Sequence, residues 1–374
     1  MSADLIMFGE DWGAHPSSTQ HIARELANDR KILWVNSIGL RRPRLNQHDL
    51  SRVFSKLAGV MRQSVSPGRE ATPAGITVTG PLVLPFPGNP AAGWVNRGLL
   101  AVQLRPALAN LNIKRPILWT SLPSAAWAIG ALGERAVVYY CGDDFGALPG
   151  VDHDSVVAME HDLVARADLV IAASEMLAAR FPPERTLTVA HGVDLDRFAV
   201  PTPAAQDLPT GRPIVGYYGS LADWVDVDLI ARAAHDMPDW WFVLIGPIQT
   251  NVEALREREN VRLLGPRPHD QLPSYVQHWT VALIPFRDTP QIRASNPLKL
   301  REYLASGTPI AATPFPALGP FLNLVAVGAD REHFSETIRT AAADAARAPA
   351  RRAAVADQTW RARAKVVAEA LEKL

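Results

Sequence analysis

One segment near the carboxyl end combines residue types that can bind a diphosphate and a ribose. Residues 296–307 read NPLKLREYLASG. Asn296 is a good helix N-cap, Pro297 suits the first helical position and Gly307 suits the C-terminal cap, so the segment predicts a helix over 297–305. The N-terminus of such a helix binds anions, because its first N–H groups have no partners within the helix. We therefore expect Asn296, Pro297 and Leu298 to lie at a diphosphate.

Two charged residues of this predicted helix share one face. Lys299 and Glu302 are three residues apart, whereas Leu300 and Leu304 form the buried face. Lys299 could meet a phosphate, and Glu302 could accept hydrogen bonds from ribose hydroxyls. The alternative is an ordinary surface Lys–Glu pair, which is worth only ~0.2–0.5 kcal/mol.

Two adjacent acids follow another apolar run. Asp143 and Asp144 come after residues 136–141, with one glycine between. One of them could be a general base that deprotonates an acceptor hydroxyl as it attacks a sugar carbon, while the other caps the next turn. The alternative is that both are turn residues. Cys141, the single cysteine, is predicted to be a core residue, and it excludes an internal disulfide framework and a cysteine-built zinc site.

Further candidates stand directly after predicted strands. Gly219 and Ser220 end one such strand and Gly246 ends the next, and glycines there let the backbone approach a ligand closely. Arg287 lies in a loop that could help to select the nucleoside. His191 opens the sequence His-Gly-Val-Asp and could either touch a ligand or bond to the backbone.

Two histidines are weaker candidates for the acceptor site, and several kinds of site and enzyme are disfavoured by the sequence. His15 and His21 lie in the first strand–helix region and could face an acceptor, although isolated histidines are usually structural. No His/Asp/Glu cluster has metal-ligand spacing, so no metal is expected. No Gly-x-Gly-x-x-Gly follows residues 5–8, and the chain has no P-loop motif. These absences disfavour a nicotinamide dehydrogenase and a P-loop nucleotidase.

The elements that position these residues alternate along the whole chain. Apolar runs predict strands at 5–8, 32–36, 76–79, 117–120, 136–141, 169–173, 186–190, 214–218, 241–245, 261–264, 281–285, 309–313 and 324–327. Helices are predicted at 18–28, 123–132, 155–166, 227–234, 271–278, 297–305 and 332–346. Such alternation implies parallel sheets with right-handed crossovers, in which ligands lie beyond the carboxyl ends of the strands.

We therefore predict an α/β fold of two doubly wound, Rossmann-like domains facing a cleft. The first domain is predicted over 1–200 and the second over 214–356. A linker over 201–213 contains four prolines.

Composition sets the remaining limits. The chain has 374 residues, of which 48% are apolar and 20% charged, as in folded globular proteins. Basic and acidic residues balance at 38 each, so no nucleic-acid partner is expected. The apolar run near the N-terminus is too short for a signal peptide, and no run reaches the ~18 residues of a bilayer span. A cytoplasmic location is therefore expected.

The segment 41–69 carries a local charge excess. It has a net charge of +6, from seven basic residues and one acid, and its apolar residues fall at helical spacing. A basic amphipathic helix can lie on an anionic membrane, so a peripheral site on the inner membrane face is one expectation. The alternative is a helix whose apolar face packs onto the first sheet.

Together these segments resemble a glycosyltransferase of the GT-B type over nearly the whole chain. Residues 191–194 resemble the HGVD segment near the hinge of that family, and 216–221 resemble the glycine turn that opens its donor domain. Residues 296–307 resemble the donor helix of bacterial polysaccharide and teichuronic-acid transferases. The resemblance implies transfer of a sugar from a nucleoside-diphosphate sugar to a saccharide, lipid-linked or secondary-metabolite acceptor, without a cofactor. It also implies that a helix over about 357–374 packs on the first domain.

The mechanism follows from finer resemblances. Many retaining relatives carry Glu-x7-Glu; Glu302 matches its second acid, but Ala294 stands at the first. The segment around Asp143 is more distantly similar to xanthan-type glucuronosyltransferases, in which an aspartate is the base of an inverting reaction, and Asp11 resembles a position near the acceptor. The implied reaction is a metal-independent, inverting displacement. Two alternatives are a non-hydrolysing sugar-nucleotide epimerase and a non-catalytic cytoplasmic sugar-nucleotide-binding protein.

Overall fold

The protein folds into two compact units. The computed structural model describes residues 2–14, 17–37, 72–86, 89–147 and 153–374. The first unit comprises the chain up to Ala190 together with Arg363–Leu374, and the second comprises His191–Ala362. The predicted segment 41–69 and the candidate His15 lie outside the described residues.

The first unit is built on a parallel sheet. Its strands are β1 (Leu5–Phe8), β2 (Ile32–Val35), β3 (Ile76–Thr79), β4 (Ile117–Thr120), β5 (Ala136–Cys141), β6 (Leu169–Ala172) and β7 (Thr186–Thr188). In the described ranges its helices are α1 (Ser18–Leu26), α2 (Pro90–Asn110), α3 (His153–Arg166) and α4 (Glu175–Ala178). The strand order is β3-β2-β1-β4-β5-β6-β7. Strands β1, β2, β4 and β5 are buried along their whole length, as strands covered on both faces must be.

The second unit repeats this plan. Its strands are β8 (Ile214–Tyr218), β9 (Trp241–Ile245), β10 (Val261–Gly265), β11 (Val281–Ile284), β12 (Ile310–Ala312) and β13 (Ala326–Val327), in the order β10-β9-β8-β11-β12-β13. Its helices are α5 (Leu195–Ala199), α6 (Val227–Asp236), α7 (Glu253–Arg256), α8 (Pro273–Val276), α9 (Pro290–Ala294), α10 (Leu298–Ser306), α11 (Phe334–Ala343), α12 (Ala348–Ala353) and α13 (Trp360–Leu371). The last of these continues into the first unit from Arg363 onward.

The strand order of each sheet reverses once. The reversal falls between β1 and β4 in the first unit and between β8 and β11 in the second. Connections leave such a point in opposite directions, which opens a crevice at the carboxyl ends of the strands where ligands bind. In the second unit, this point lies beside the turn after β8 and the segment after β11, which contains α9 and α10. The topology therefore places Gly219 and α10 where a ligand site is expected.

The predicted α/β, doubly wound fold class is confirmed. Every predicted strand is present, with only small differences at the ends. The predicted helix over 123–132 is wrong, because Pro123–Ala128 forms a 3₁₀ helix and the chain then turns through Gly130 and Gly133, whose φ angles are 76° and 72°.

Helix α2 is not predicted by the sequence pattern. It contains Gly93, Gly98 and Pro106, residue types that usually weaken or break helices. Its N-terminus is nevertheless well capped, since the Asn89 side chain accepts a hydrogen bond from Ala92 N–H and Pro90 takes the first position.

The proline-rich segment 201–213 contains no regular helix or strand, but it is fastened to the second unit. Thr202 N–H donates to Gln277 Oε1 at 2.8 Å. The Asp207 carboxylate accepts from Arg267 Nη2 and from Tyr275 Oη, each at 2.7 Å. The division between the units falls before His191, so residues 191–213 belong to the second unit.

None of the helices in the described ranges combines the length and apolarity that crossing a bilayer demands.

Candidate functional site

The N-terminus of α10 lacks a side-chain cap. The helix begins at Leu298, and Pro297 occupies the cap position with extended backbone angles. The prediction that Asn296 is the N-cap is wrong, because its Oδ1 accepts a 2.6 Å hydrogen bond from Arg301 Nη1. The Arg301 side chain is buried and needs an acceptor inside the protein, which Asn296 supplies. Within the described residues, the cap position of α10 therefore brings no side chain to the first N–H groups of the helix, which an anion can approach.

Lys299 lies in the first turn of α10 between two aromatic rings. Its Nζ is 4.8 Å from the centre of the Tyr217 ring and 5.0 Å from that of Phe286, and it donates to Tyr217 Oη at 3.3 Å. Burial lowers the pKa of Lys299 to about 8, and the Glu302 carboxylate opposes that shift. A cation in such apolar surroundings is strongly stabilised by a bound anion.

Two glycines allow the turns after β8 and β9 to pack backbone against backbone beside Lys299. Gly219 follows β8 and Gly246 follows β9, with φ angles of 133° and 145°. A β-carbon at Gly246 would lie 2.0 Å from the Gly219 carbonyl oxygen, and one at Gly219 would lie 2.8 Å from Lys299 Nζ. Glycine is therefore required at both positions. The neighbouring carbonyl of Ser220 accepts from Tyr217 Oη at 3.0 Å, which ties the turn to the same tyrosine.

The Glu302 carboxylate is buried and held at both oxygens. Oε2 accepts from Tyr218 Oη at 2.5 Å, and Oε1 accepts from His269 Nε2 at 2.7 Å. Only 8% of the residue is exposed. An exposed surface pair with Lys299 does not fit this burial. A carboxylate offers about four acceptor positions, so it can accept hydrogen bonds from several donors at once.

The remaining candidates of the second unit are placed differently. His191 is buried, and the adjoining Gly192 packs so tightly on Trp360 that a β-carbon would lie 2.8 Å from that residue. The Arg287 Nη2 atom is 3.5 Å from Asp228 Oδ2, and among the described residues no hydrogen bond or ion pair joins Arg287 to Lys299 or Glu302. Arg287 therefore remains a prediction without a geometric link to this group.

In the first unit, the structure distinguishes the two adjacent acids. Asp144 Oδ1 accepts from Arg180 Nη1 at 2.8 Å, and the same guanidinium donates to Glu160 at 2.6 Å. Asp143 Oδ1 accepts the backbone N–H of Asp144 at 2.8 Å. Asp144 is thus engaged in an ion pair, which makes it the weaker candidate for the base. Cys141 is fully buried, and burial raises the pKa of its thiol, as expected for a core residue.

The acceptor-side candidates lie at the start of the same unit. Asp11 follows β1, and its Oδ1 accepts from Ser37 N–H at 3.2 Å. His21 is half-buried on α1. The adjacent Glu10 accepts from Ser17 Oγ and, at 2.9 Å, from Gln20 Nε2, so this loop is fixed to the start of α1. Among the described residues, no three His, Cys, Asp or Glu side chains are grouped to hold a metal ion.

Sequence reasoning did not select the residues that contact Glu302. Tyr218 falls within the turn motif at 216–221, and His269 lies in a loop after a predicted strand. The position of His269 after β10, at the carboxyl edge of the sheet, was a usable signal. Arg197, which lies beyond His269, had no such signal, because it reaches the site only through the packing of α5 against α10.

A family model matches the part of the chain that contains the residues around the N-terminus of α10. Residues 212–344 match the family model described as glycosyl transferases group 1. This range includes Gly219, Gly246, Lys299 and Glu302.

One curated relative matches in sequence. The chain is 28% identical over 236 residues to TuaH of Bacillus subtilis (strain 168), which is named as a teichuronic acid biosynthesis glycosyltransferase. The match covers 58% of this chain and 59% of TuaH, so the chain spans less than two thirds of that relative.

Solved structures match over almost the full length. Sucrose-phosphate synthase from Thermosynechococcus elongatus gives a TM-score of 0.71 at 16% identity, covering 99% of this chain and 98% of that one. Anabaena HepE in complex with UDP-glucose gives 0.67 at 14% identity, covering 99% and 100%. At these identities the likeness shows the fold alone, which is GT-B.

These matches show that the chain has the GT-B fold and that its residues 212–344 are similar to the group 1 glycosyltransferases. Within that class, the resemblance to bacterial polysaccharide and teichuronic-acid transferases is confirmed by the similarity to TuaH.

Proposed function

We propose that this chain transfers a hexosyl or uronosyl group from a nucleoside-diphosphate sugar to a hydroxyl of a saccharide, lipid-linked or secondary-metabolite acceptor in polysaccharide biosynthesis. The observation that carries the proposal is the arrangement around α10, where Lys299, Gly219 and the uncapped helix N-terminus adjoin and Glu302 lies one turn further on. The names of TuaH and of the UDP-glucose complex of HepE support a nucleotide-sugar donor and a saccharide product.

The arrangement suits a nucleoside diphosphate better than a simple anion. The helix N-terminus and Lys299 supply positive charge for two phosphates, and Gly219 lets the backbone come close to them. Glu302 supplies acceptors for the two hydroxyls of a ribose. We therefore assign the diphosphate to the N-terminus of α10 and to Lys299, and the ribose to Glu302.

The proposed reaction is a single inverting displacement. Asp143 takes the proton of the acceptor hydroxyl as that oxygen bonds to C1 of the sugar, and the C1–O bond to the diphosphate breaks with its electron pair. The negative charge on the departing diphosphate is stabilised by the Lys299 ammonium and the helix dipole. Because these groups can neutralise the leaving group, the proposed reaction uses no metal and no cofactor.

Replacing Glu302 with Ala tests the ribose assignment. We expect the KM for the donor to rise about 10- to 100-fold with a smaller change in kcat, because hydrogen bonds to a charged group are lost from the bound nucleotide. Steady-state kinetics measure the effect after a thermal-shift screen of UDP, GDP, ADP and dTDP has found the nucleotide that stabilises the protein most. Glu336→Ala, on the exposed face of α11, is the matched control.

An unchanged donor KM in Glu302→Ala would remove the ribose role. Incubation of the protein with a panel of nucleotide sugars separates the rival functions. Acceptor-dependent release of the nucleoside diphosphate supports the transferase, conversion of the donor sugar without an acceptor supports the epimerase, and binding without turnover supports a binding protein.

We further propose that the first unit binds an anionic membrane at the cytoplasmic face. The basic segment 41–69 first indicated this, but it lies outside the described residues. An independent support is the exposed apolar surface around α2, where Trp94 and Val102 are each 76% exposed and Leu82, Leu84 and Phe86 lie alongside. Residues 72–116 contain no acid and four basic residues, which matches an anionic bilayer.

Flotation with phosphatidylglycerol-containing vesicles tests the membrane proposal. We expect the wild type to float with these vesicles and the Trp94→Ser/Val102→Ser variant to lose most of that binding, because both side chains would otherwise enter the interface. Leu322→Ser, which removes an exposed apolar side chain from the second unit, should float as the wild type does. Equal flotation of all three proteins would argue against this surface.

A further inference from the structure

Behind Glu302, hydrogen bonds run through the loop after β10 to α5. His269 Nε2 lies 2.7 Å from Glu302 Oε1, and His269 Nδ1 lies 3.0 Å from Arg197 Nη1. Arg197 in turn pairs with Asp194, whose Oδ2 is 3.2 Å from Arg197 Nε. The loop and α5 thus reach the carboxylate that we assign to the ribose.

The order of these groups fixes the tautomer of His269. A guanidinium can only donate hydrogen bonds, so His269 Nδ1 facing Arg197 must be the acceptor. In a neutral imidazole the proton then resides on Nε2, where it is donated to the Glu302 carboxylate. The arrangement therefore selects the tautomer whose Nε2–H is aimed at Glu302.

The surroundings hold this donor in place. Asp194 is the N-cap of α5 and accepts from Arg197 N–H at 3.1 Å, so the arginine starts from a capped turn. The Phe198 ring packs edge-on against His269 with a centroid distance of 5.5 Å. The His269 side chain is only 17% exposed. A half-buried ring with both nitrogens engaged has little freedom to turn.

Glu302 consequently has its two oxygens fixed from different elements. Tyr218 holds one oxygen from the end of β8, and His269 holds the other from the loop after β10. Hydrogen-bond partners such as Tyr218 and His269 orient a group that contacts a ligand. Loss of such a partner weakens recognition of the ligand although no direct contact to the ligand is removed. The expected loss is in recognition of the ribose, because the diphosphate is assigned to Lys299.

We propose that His269, with its tautomer set by Arg197, is a positioning residue that holds Glu302 ready for the two ribose hydroxyls of the nucleotide. This inference rests on the ribose role of Glu302 under the proposed function. His269 itself touches Glu302 rather than the ligand.

The test compares binding of a ribonucleotide with that of its 2′,3′-dideoxy form. The probe is UDP, GDP or ADP, whichever binds tightest, and calorimetry measures both forms with the wild type, His269→Phe and His269→Gln. We expect the wild type to prefer the ribonucleotide by about 10- to 100-fold, since a site built to bind hydroxyls rejects analogues without them. In His269→Phe the preference should fall to about threefold or less, with the dideoxy form bound as in the wild type. In His269→Gln much of the preference should return, because its amide restores an N–H donor.

Two control variants distinguish failure of the positioning role of His269 from failure of the ribose role of Glu302. His235→Phe changes an exposed histidine of the same unit and should keep the wild-type preference. A wild-type preference in His269→Phe, or an equal loss of both nucleotides, would overturn the positioning role. A Glu302→Gln variant that keeps the full preference would instead overturn the ribose role itself, and the positioning role with it.

Discussion

Replacing Asp143 with Asn is expected to lower kcat by about 10²–10⁴-fold, the usual contribution of a general base. The same replacement at Asp144 is expected to cost less than about tenfold, since that carboxylate serves an ion pair. Donor binding should remain near wild type in both variants, because the donor site is assigned to the second unit. Initial rates with saturating donor and acceptor measure the difference.

The smaller loss of kcat expected for Asp144→Asn than for Asp143→Asn follows from the contacts of Arg180. Its guanidinium joins Asp144 to Glu160 at 2.8 and 2.6 Å, and the Glu160 side chain is almost fully buried. Nearby carboxylates raise the pKa of Arg180, although its own burial opposes them, so the guanidinium stays charged. An acceptor hydroxyl would have to displace this partner to reach Asp144. Asp144→Asn should therefore act mainly on stability, by roughly 1 kcal/mol for a partly exposed pair.

Two outcomes would contradict the assignment. One is near-native turnover by Asp143→Asn, and the other is a larger loss at Asp144 than at Asp143. The stereochemistry provides a further check, because a single displacement gives a product whose anomeric configuration is opposite to that of the donor. A product with the donor configuration by ¹H NMR would exclude Asp143 as the base of an inverting reaction.

The sheets could be predicted from the sequence because their signal is local. A strand such as β5 is apolar on both faces and short, and the turn that follows it contains glycine and acids. Helix α2 was missed for the same reason, since Gly93, Gly98 and Pro106 are unfavourable when judged locally. Its stability depends on packing that a local pattern does not contain.

In the candidate site too, residues with a local sequence signal could be predicted, whereas contacts between distant residues could not. Lys299 and Glu302 were selected because their spacing, the predicted helix and the position after a strand all lie in one segment. The partners of Glu302 could not be deduced, because Tyr218 is 84 residues away and His269 is 33. Likewise, the choice between Asp143 and Asp144 depends on Arg180, 36 residues beyond Asp144. The prediction of Asn296 as the N-cap of α10 is wrong because its side-chain oxygen accepts a hydrogen bond from the buried Arg301 instead.

Nucleotide affinity is expected to fall as the pH rises above about 8, by up to about tenfold per pH unit, because a diphosphate binds the charged form of Lys299. The pKa of this lysine is lowered to about 8 by burial. A bound diphosphate favours the ammonium, so binding takes up a proton above pH 8. Lys299→Met should bind more weakly by about 10- to 100-fold with no such pH dependence, and kcat should fall about 10²–10³-fold.

Lys299→Arg separates this effect from a general response to alkaline pH, because arginine stays charged throughout the range. Its nucleotide affinity should stay flat between pH 7.5 and 9.5, as measured by calorimetry. Deprotonation of Lys299 does not by itself destabilise the free protein at high pH. Since the folded-state pKa of Lys299 lies below its ordinary value of 10.5, the unfolded chain binds more protons between pH 8 and 10.5, and this group alone makes the free protein more stable as the pH rises. Wild-type affinity that stays flat across this range would show that the charge of Lys299 does not hold the diphosphate.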